Sequence, residues 1–179
     1  DALTRQLRTF ATRHQFPSGE IQQVILCSVV PHLTPALVGA LTTLLSARPS
    51  RVRAAQGHAV SIKVVGQHVR IPIENRYAKP KQVGQDRLVG AYAAWNTFHR
   101  ACIVADFGTA ITIDLVTANG AYLGGVIAPG LQLSLEALAT RTALLPQVTL
   151  RAPQELLGRD TTSSIRSGIL FGCAALCDG

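Results

Sequence analysis

Apolar positions along the chain recur with two periods. Leu3, Leu7, Phe10 and Ala11 fall at helical spacing, so residues 2 to 14 are predicted to form an amphipathic helix that ends before Pro17-Ser18-Gly19. Ile21 to Val30 is a continuous, β-branched-rich run that reads as a buried strand, and Pro31 stops it. Thr34 can cap a helix with Pro35 in its first position and Leu37, Val38, Leu41, Leu44 and Leu45 turned inward. Residues 48 to 58 are polar and basic, a loop. Ala59 to Val65 and Val69 to Ile73 then read as two short strands around Gly66, the second an edge because of Pro72. Leu88, Val89, Tyr92 and Trp95 restore helical spacing over Gln85 to His99, which places Asp86 in a first turn. Cys102 to Ala105 reads as a buried strand and Ile111 to Thr117 as an alternating one. Asn119-Gly120 is a hairpin signal leading into Tyr122 to Ile127. Helices over 131 to 141 and from Thr161 to Cys177 finish the chain. Hairpins mixed with covering helices indicate an α/β or α+β fold with a domain seam within 74 to 106.

Composition narrows the class. With 179 residues, 47% hydrophobic and 15% charged, the chain can bury one good core or two small ones. No apolar run approaches the ~18–20 residues that span a bilayer, and the opening Asp1-Ala2-Leu3-Thr4-Arg5 lacks a signal-peptide core, so a soluble cytoplasmic protein is expected. Cys27, Cys102, Cys173 and Cys177 form no CxxC pair and sit in apolar surroundings, which predicts buried, reduced thiols. The net charge of +7 is concentrated before residue 70, yet Arg5, Arg8 and Arg13 fall at water-facing helix positions and Arg48, Arg51 and Arg53 in a loop. Without interleaved aromatics for base stacking, nucleic acid is not an expected partner, nor is a membrane. The chain has no Met and starts inside a predicted helix, so it is expected to be a piece of a longer product.

Three segments carry candidate chemistry. In Asp106-Phe107-Gly108-Thr109 a carboxylate ends a strand and a Gly-Thr turn opens the next. Such a turn can offer N–H groups and a hydroxyl to a phosphate while the Asp holds a cation, or it is an ordinary turn capped by Asp. In Gly84-Gln85-Asp86-Arg87 an acid and a base stand together at a helix start. The carboxylate there can accept a proton from a hydroxyl while the Arg pairs with an anion, or it merely satisfies the helix dipole. Gly158-Arg159-Asp160-Thr161-Thr162-Ser163-Ser164 is a hydroxyl-rich helix start that suits either an anion or simple N-capping. Gly124 to Gly130 adds a Gly-rich turn before a helix.

Together and in order, these segments resemble type III pantothenate kinases. The resemblance rests on Ser28-Val29-Val30-Pro31, Tyr77 with Pro80, Gly84-Gln85-Asp86-Arg87, Asp106-Phe107-Gly108-Thr109-Ala110, Tyr122-Leu123-Gly124-Gly125-Val126-Ile127-Ala128-Pro129-Gly130, and Gly158 with Thr161. It implies an α/β fold of the actin-like ATPase class, the acetate and sugar kinase/Hsp70/actin superfamily (ribonuclease H-like), incomplete at both ends. Residues 1–80 would be the remainder of the N-terminal lobe and 81–179 most of the C-terminal lobe. The implied activity is ATP-dependent phosphorylation of pantothenate to phosphopantothenate, the first step of coenzyme A synthesis.

By the same resemblance Asp86 is the catalytic proton acceptor, and Tyr77, Gly84, Gln85, Asp86, Arg87 and Thr161 bind pantothenate. Thr109 and Gly108 contact ATP, Asp106 holds a monovalent cation (potassium or ammonium), magnesium accompanies the nucleotide, and the protein is a homodimer. The sequence departs from the family pattern at Gln85, where Ala is usual, and at Arg159-Asp160, where Lys-Asn is usual. It contains no Asp-x-Gly-Asn-Thr-type phosphate loop. That absence motivates the alternative of a non-catalytic relative acting as a transcriptional accessory or partner-binding protein.

Overall fold

The computed structural model describes residues 2–15, 21–46 and 60–179. The Pro17-Ser18-Gly19 stop, the loop expected over 48 to 58, and Arg48, Arg51 and Arg53 lie outside the described residues. The fold is mixed α/β and divides into two units. One is Asp1–Pro72 with Gln82–Val89, the other Ile73–Lys81 with Gly90–Gly179.

In the first unit, helix α1 (Ala2–Arg13) packs on α2 (Thr34–Ser46). Strand β1 (Gln23–Leu26) pairs in parallel with β2 (Ser61–Val64), Gln23 opposite Ser61 and Leu26 opposite Val64. Parallel strands need a long crossover, and the segment containing α2 supplies it. Ala40, Leu44 and Leu45 of α2 are buried with Val64, Val65, Ile71, Val83 and Leu88. Phe10, expected on the inner face of α1, is exposed and stacks on the His14 ring instead, with centroids 4.5 Å apart.

The strand expected over Ile21 to Val30 is shorter and less buried than its apolar run implies. Ile25 is 62% exposed, and beyond Leu26 the Ser28 hydroxyl accepts from the Val30 N–H, drawing the chain into a turn. The strand expected over Val69 to Ile73 does not form. Val65 and Val69 make a single bridge around Gly66, whose φ of +82° only glycine adopts readily, and Pro72 has no N–H to offer a ladder.

The second unit is built on a four-stranded sheet in the order β3-β6-β5-β4, where β3 is Glu74–Asn75, β4 Cys102–Phe107, β5 Ala110–Val116 and β6 Ala121–Pro129. β3 runs parallel to β6 and the other pairs are antiparallel. The Asn119-Gly120 turn closes the β5–β6 hairpin: Thr117 N–H donates to Ala121 O at 2.9 Å, and Gly120 has φ +81°. Helix α3 (Gln85–Phe98) places Trp95 on that turn. Its indole N–H donates to Ala118 O at 3.1 Å, and a side chain at Gly120 would strike the ring.

Ala91, Ile111, Val116, Ala121 and Tyr122 are buried, and buried Asp114 accepts from the Tyr122 hydroxyl at 2.8 Å. Helices α4 (Leu131–Arg141) and α5 (Thr161–Asp178) pack together over a second cluster of Leu135, Val148 and Ile165.

Two further expectations are corrected here. β4 is an edge strand rather than a buried one, with Ile103 70% exposed opposite exposed Leu115. The four thiols are free but not buried. Cys27 lies just past the end of β1 and Cys177 in the last turn of α5, both exposed, while Cys102 and Cys173 are half-buried.

Candidate active site

The Gly84-Gln85-Asp86-Arg87 segment opens α3. Asp86 sits in the first turn, where the helix dipole favours a carboxylate, and its Oδ1 accepts from the Arg87 N–H at 2.9 Å. Gly84 leaves room for that placement, since a Cβ there would overlap Asp86 Oδ1 and turn the carboxylate aside. The helix start meets the carboxyl end of the parallel pair. Val65 N–H donates to Leu26 O at 2.8 Å, extending the β1–β2 ladder by one bond, and the Gly66 turn that follows rests on the Gln85 side chain.

Cys27, the first residue past β1, feels the same carboxylate. Partial desolvation and, second, the Asp86 charge hold its thiol pKa above the ordinary value. Asp86 is itself exposed. A reachable carboxylate on a helix N-terminus at the carboxyl ends of parallel strands is the usual location of ligand sites in α/β proteins.

In the second unit, the Asp106 to Thr109 turn joins β4 to β5. Gly108 N–H donates to Ala110 O at 3.0 Å, and Gly130 N–H donates to Thr109 O at 2.9 Å. Gly130 lies flush under the turn, since a Cβ there would overlap Gly108 O and lie 2.5 Å from Thr109 O. Asp106, Gly108 and Thr109 are all exposed. Among the described residues no three His, Cys, Asp or Glu side chains gather as a metal cluster. Asp106 and Thr109 would offer a cation at this turn a carboxylate and a hydroxyl, oxygen donors that suit a hard ion.

Tyr77 follows β3 and is half-buried. Its N–H donates to Asn75 Oδ1 at 3.0 Å, Asn75 Nδ2 donates to Pro80 O at 3.3 Å, and its ring stands against Gly124 through Cδ2 and Cε2. Thr109 instead adjoins Gly130, six residues and roughly 20 Å further on, just past the end of β6. Thr161 is the first residue of α5 and lines an open cavity of about 620 Å³ with Gly158, Ser164, Leu138 and Ile165. Asp160 caps that helix. Its Oδ1 accepts from Ser163 N–H at 2.9 Å while Ser163 Oγ accepts from Asp160 N–H at 3.1 Å, and the Ser163 N–H holds the Asp160 carboxyl below the usual range.

The structure thus groups Gly84, Gln85, Asp86 and Arg87 in the first unit. In the second it places Tyr77, the Asp106–Thr109 turn and Thr161 on separate elements. Gly124 to Gly130 is not the turn expected there: the chain stays extended as β6 through Pro129. Cys27 and Gly66 are additional neighbours of the Gly84–Arg87 segment. The one sequence signal was for Gly66, which separates two β-branched runs; Cys27 lies inside the Ile21 to Val30 run and carried none.

The chain matches the type III pantothenate kinase family model over residues 1–179. It belongs to the type III pantothenate kinase family. It is 42% identical over 161 residues to a type III pantothenate kinase of Desulfotalea psychrophila and 37% identical over 160 residues to one of Finegoldia magna. Each alignment covers 89% of this chain, and 58% and 56% of those relatives respectively. Against the enzyme of Desulfosudis oleivorans the identity is 38% with all of this chain and 66% of that one covered. The chain therefore spans less than two thirds of the type III pantothenate kinases it matches. Among solved structures, one described as a Baf family transcriptional activator from Campylobacter jejuni aligns with a TM-score of 0.50 at 22% identity, over 93% of this chain and 67% of that one. At that identity the likeness concerns the fold.

Proposed function

We propose that the protein bearing this chain transfers the γ-phosphoryl group of ATP to the primary hydroxyl of pantothenate, giving phosphopantothenate and ADP. The observation that carries the reading is the exposed Asp86 carboxylate, aligned by its own helix start and by Gly84 within a family-type Gly-x-Asp-Arg segment. In-line transfer forms a bond from the hydroxyl oxygen to phosphorus as the bond to ADP breaks, and the hydroxyl proton passes to Asp86. Arg87 pairs with the acceptor's carboxylate. Gly84, Gln85, Tyr77 and Thr161 complete the acceptor contacts, while the Gly108–Thr109 turn meets the nucleotide phosphates with backbone N–H and hydroxyl.

Asp106 would hold potassium or ammonium, which, with nucleotide-borne magnesium, offsets phosphate charge. The same reading takes the fold as that of the actin-like ATPase superfamily, with residues 1–80 and 81–179 in its two lobes, and the protein as a cytoplasmic homodimer. Among the described residues no helix is long and apolar enough to cross a membrane.

The test is Asp86→Asn in the full-length protein. Loss of the proton acceptor is expected to lower kcat by about 10²–10⁴-fold with substrate KM values little changed. Wild-type turnover by that variant overturns the role of Asp86.

A further inference from the structure

The β3–β6 junction fixes one aromatic ring from several sides. Gly124 has φ +120°, a conformation that side-chain-bearing residues rarely adopt, and a Cβ there would lie 2.9 Å from Tyr77 Cδ2 and 3.0 Å from Cε2. The ring therefore rests directly on the Gly124 backbone. Asn75, paired with Tyr122 in the β3–β6 ladder, ties the Tyr77 N–H to its Oδ1 and the Pro80 carbonyl to its Nδ2, which sets the backbone on both sides of the ring. Arg76 N–H donates to Tyr122 O at 2.9 Å and continues the same ladder. The Tyr122 ring stands 6.4 Å from the Tyr77 ring at 45°, and its own hydroxyl is anchored on buried Asp114.

We infer that Gly124 and Asn75 are positioning residues for the acceptor substrate, acting by holding the Tyr77 ring in its binding orientation before substrate arrives. This rests on the reading above in which Tyr77 contacts pantothenate. A half-buried tyrosine constrained by a glycine floor, a side-chain-bonded backbone and a second ring has little rotamer freedom left to lose on binding. That is the physical content of a preorganised site. The floor is specific to glycine on two counts, backbone conformation and space, so the substitution with the smallest chemical change carries a large geometric consequence.

The experiment is steady-state kinetics on the full-length protein with Gly124→Ala introduced into wild type and into a Tyr77→Ala background. Gly124→Ala alone is expected to raise the KM for pantothenate about tenfold, with kcat and the KM for ATP within about twofold of wild type. In the Tyr77→Ala background, with no ring to displace, it is expected to change the pantothenate KM by less than about twofold, although the melting temperature falls in both. Equal KM increases in both backgrounds, or none in either, overturn the inference. Asn75→Ala, which leaves the φ of Gly124 untouched, is run through the same pair of backgrounds and decides the matter if Gly124→Ala does not fold. A wild-type protein with no pantothenate turnover overturns the kinase reading itself; wild-type turnover with additive effects overturns the positioning role alone.

Discussion

The Asp106–Thr109 turn should be unusually sensitive to a methyl group on the N-cap residue of α4 beside it. Gly130 has no room for one. The added carbon would lie 2.5 Å from Thr109 O and 2.8 Å from its carbonyl carbon, and it would overlap Gly108 O. Ordinary carbon–oxygen contact begins near 3.3 Å, so Gly130→Ala must move the turn or the start of α4 by about 0.8 Å or more. Both neighbours are backbone, which no rotamer change can relieve. The shift also stretches the 2.9 Å hydrogen bond from Gly130 N–H to Thr109 O. Overpacking of this kind costs roughly 1–3 kcal/mol, to be read from urea unfolding of the two proteins.

If the turn holds nucleotide phosphates, a displacement approaching 1 Å is expected to lower kcat/KM for ATP by about 10–100-fold. The KM for pantothenate should hold, because Tyr77 rests on Gly124, six residues away within β6. A Gly130→Ala protein with wild-type stability and wild-type KM for ATP refutes the reasoning. So does one whose pantothenate KM rises while its ATP kinetics hold.

Two stability predictions follow from the second unit. Tyr122→Phe removes the 2.8 Å hydroxyl bond to buried Asp114 and is expected to cost about 1–3 kcal/mol in urea unfolding; a difference below about 0.3 kcal/mol would mean that the bond adds nothing net. The Asp160 carboxyl titrates below its ordinary value because the Ser163 N–H bonds its charged form, so its contribution is complete above the unfolded-state pKa and fades as pH falls through the folded one. The melting-temperature gap between wild type and Asp160→Asn is therefore expected at neutral pH and should close below about pH 4. A gap that is constant from neutral pH to pH 3 contradicts this.

Where local periodicity and burial agreed, the chain was readable from its residues. Residues 131 to 141 and the β5–β6 hairpin around Asn119-Gly120 lie where spacing and turn chemistry put them. Asp86 is in the first turn of its helix as expected. Apolar runs misled where burial did not follow. Ile25 and Ile103 belong to β-branched runs that look buried, yet each strand presents a face to solvent. The strand expected over Val69 to Ile73 failed because pairing is a non-local property. The residues that gain a ladder partner are Glu74 and Asn75, two poor strand formers recruited by β6. At the candidate site the motifs named the side chains but not their supports, since neither Gly66 under Gln85 nor Gly124 under Tyr77 announces its neighbour in sequence.

The glycines of the Tyr122–Gly130 segment, two inside β6 and one just past it, show why the segment costs so much strand propensity. A glycine inside a strand weakens it and is retained where another backbone or ring approaches closely. Each of the three meets a different obstacle: the Tyr77 ring at Gly124, Ile113 O and the Asp114 carboxyl at Gly125, and the carbonyls of Gly108 and Thr109 at Gly130. The first and last of these neighbours are the proposed acceptor contact and the proposed phosphate turn, while the middle one is the buried carboxyl that anchors Tyr122. The Tyr122–Gly130 segment is therefore what both the Tyr77 ring and the Gly108–Thr109 turn rest against. If the two contacts serve different substrates, a change at Gly124 should perturb one and a change at Gly130 the other, because β6 stays paired with β5 from Gly124 to Pro129 between them.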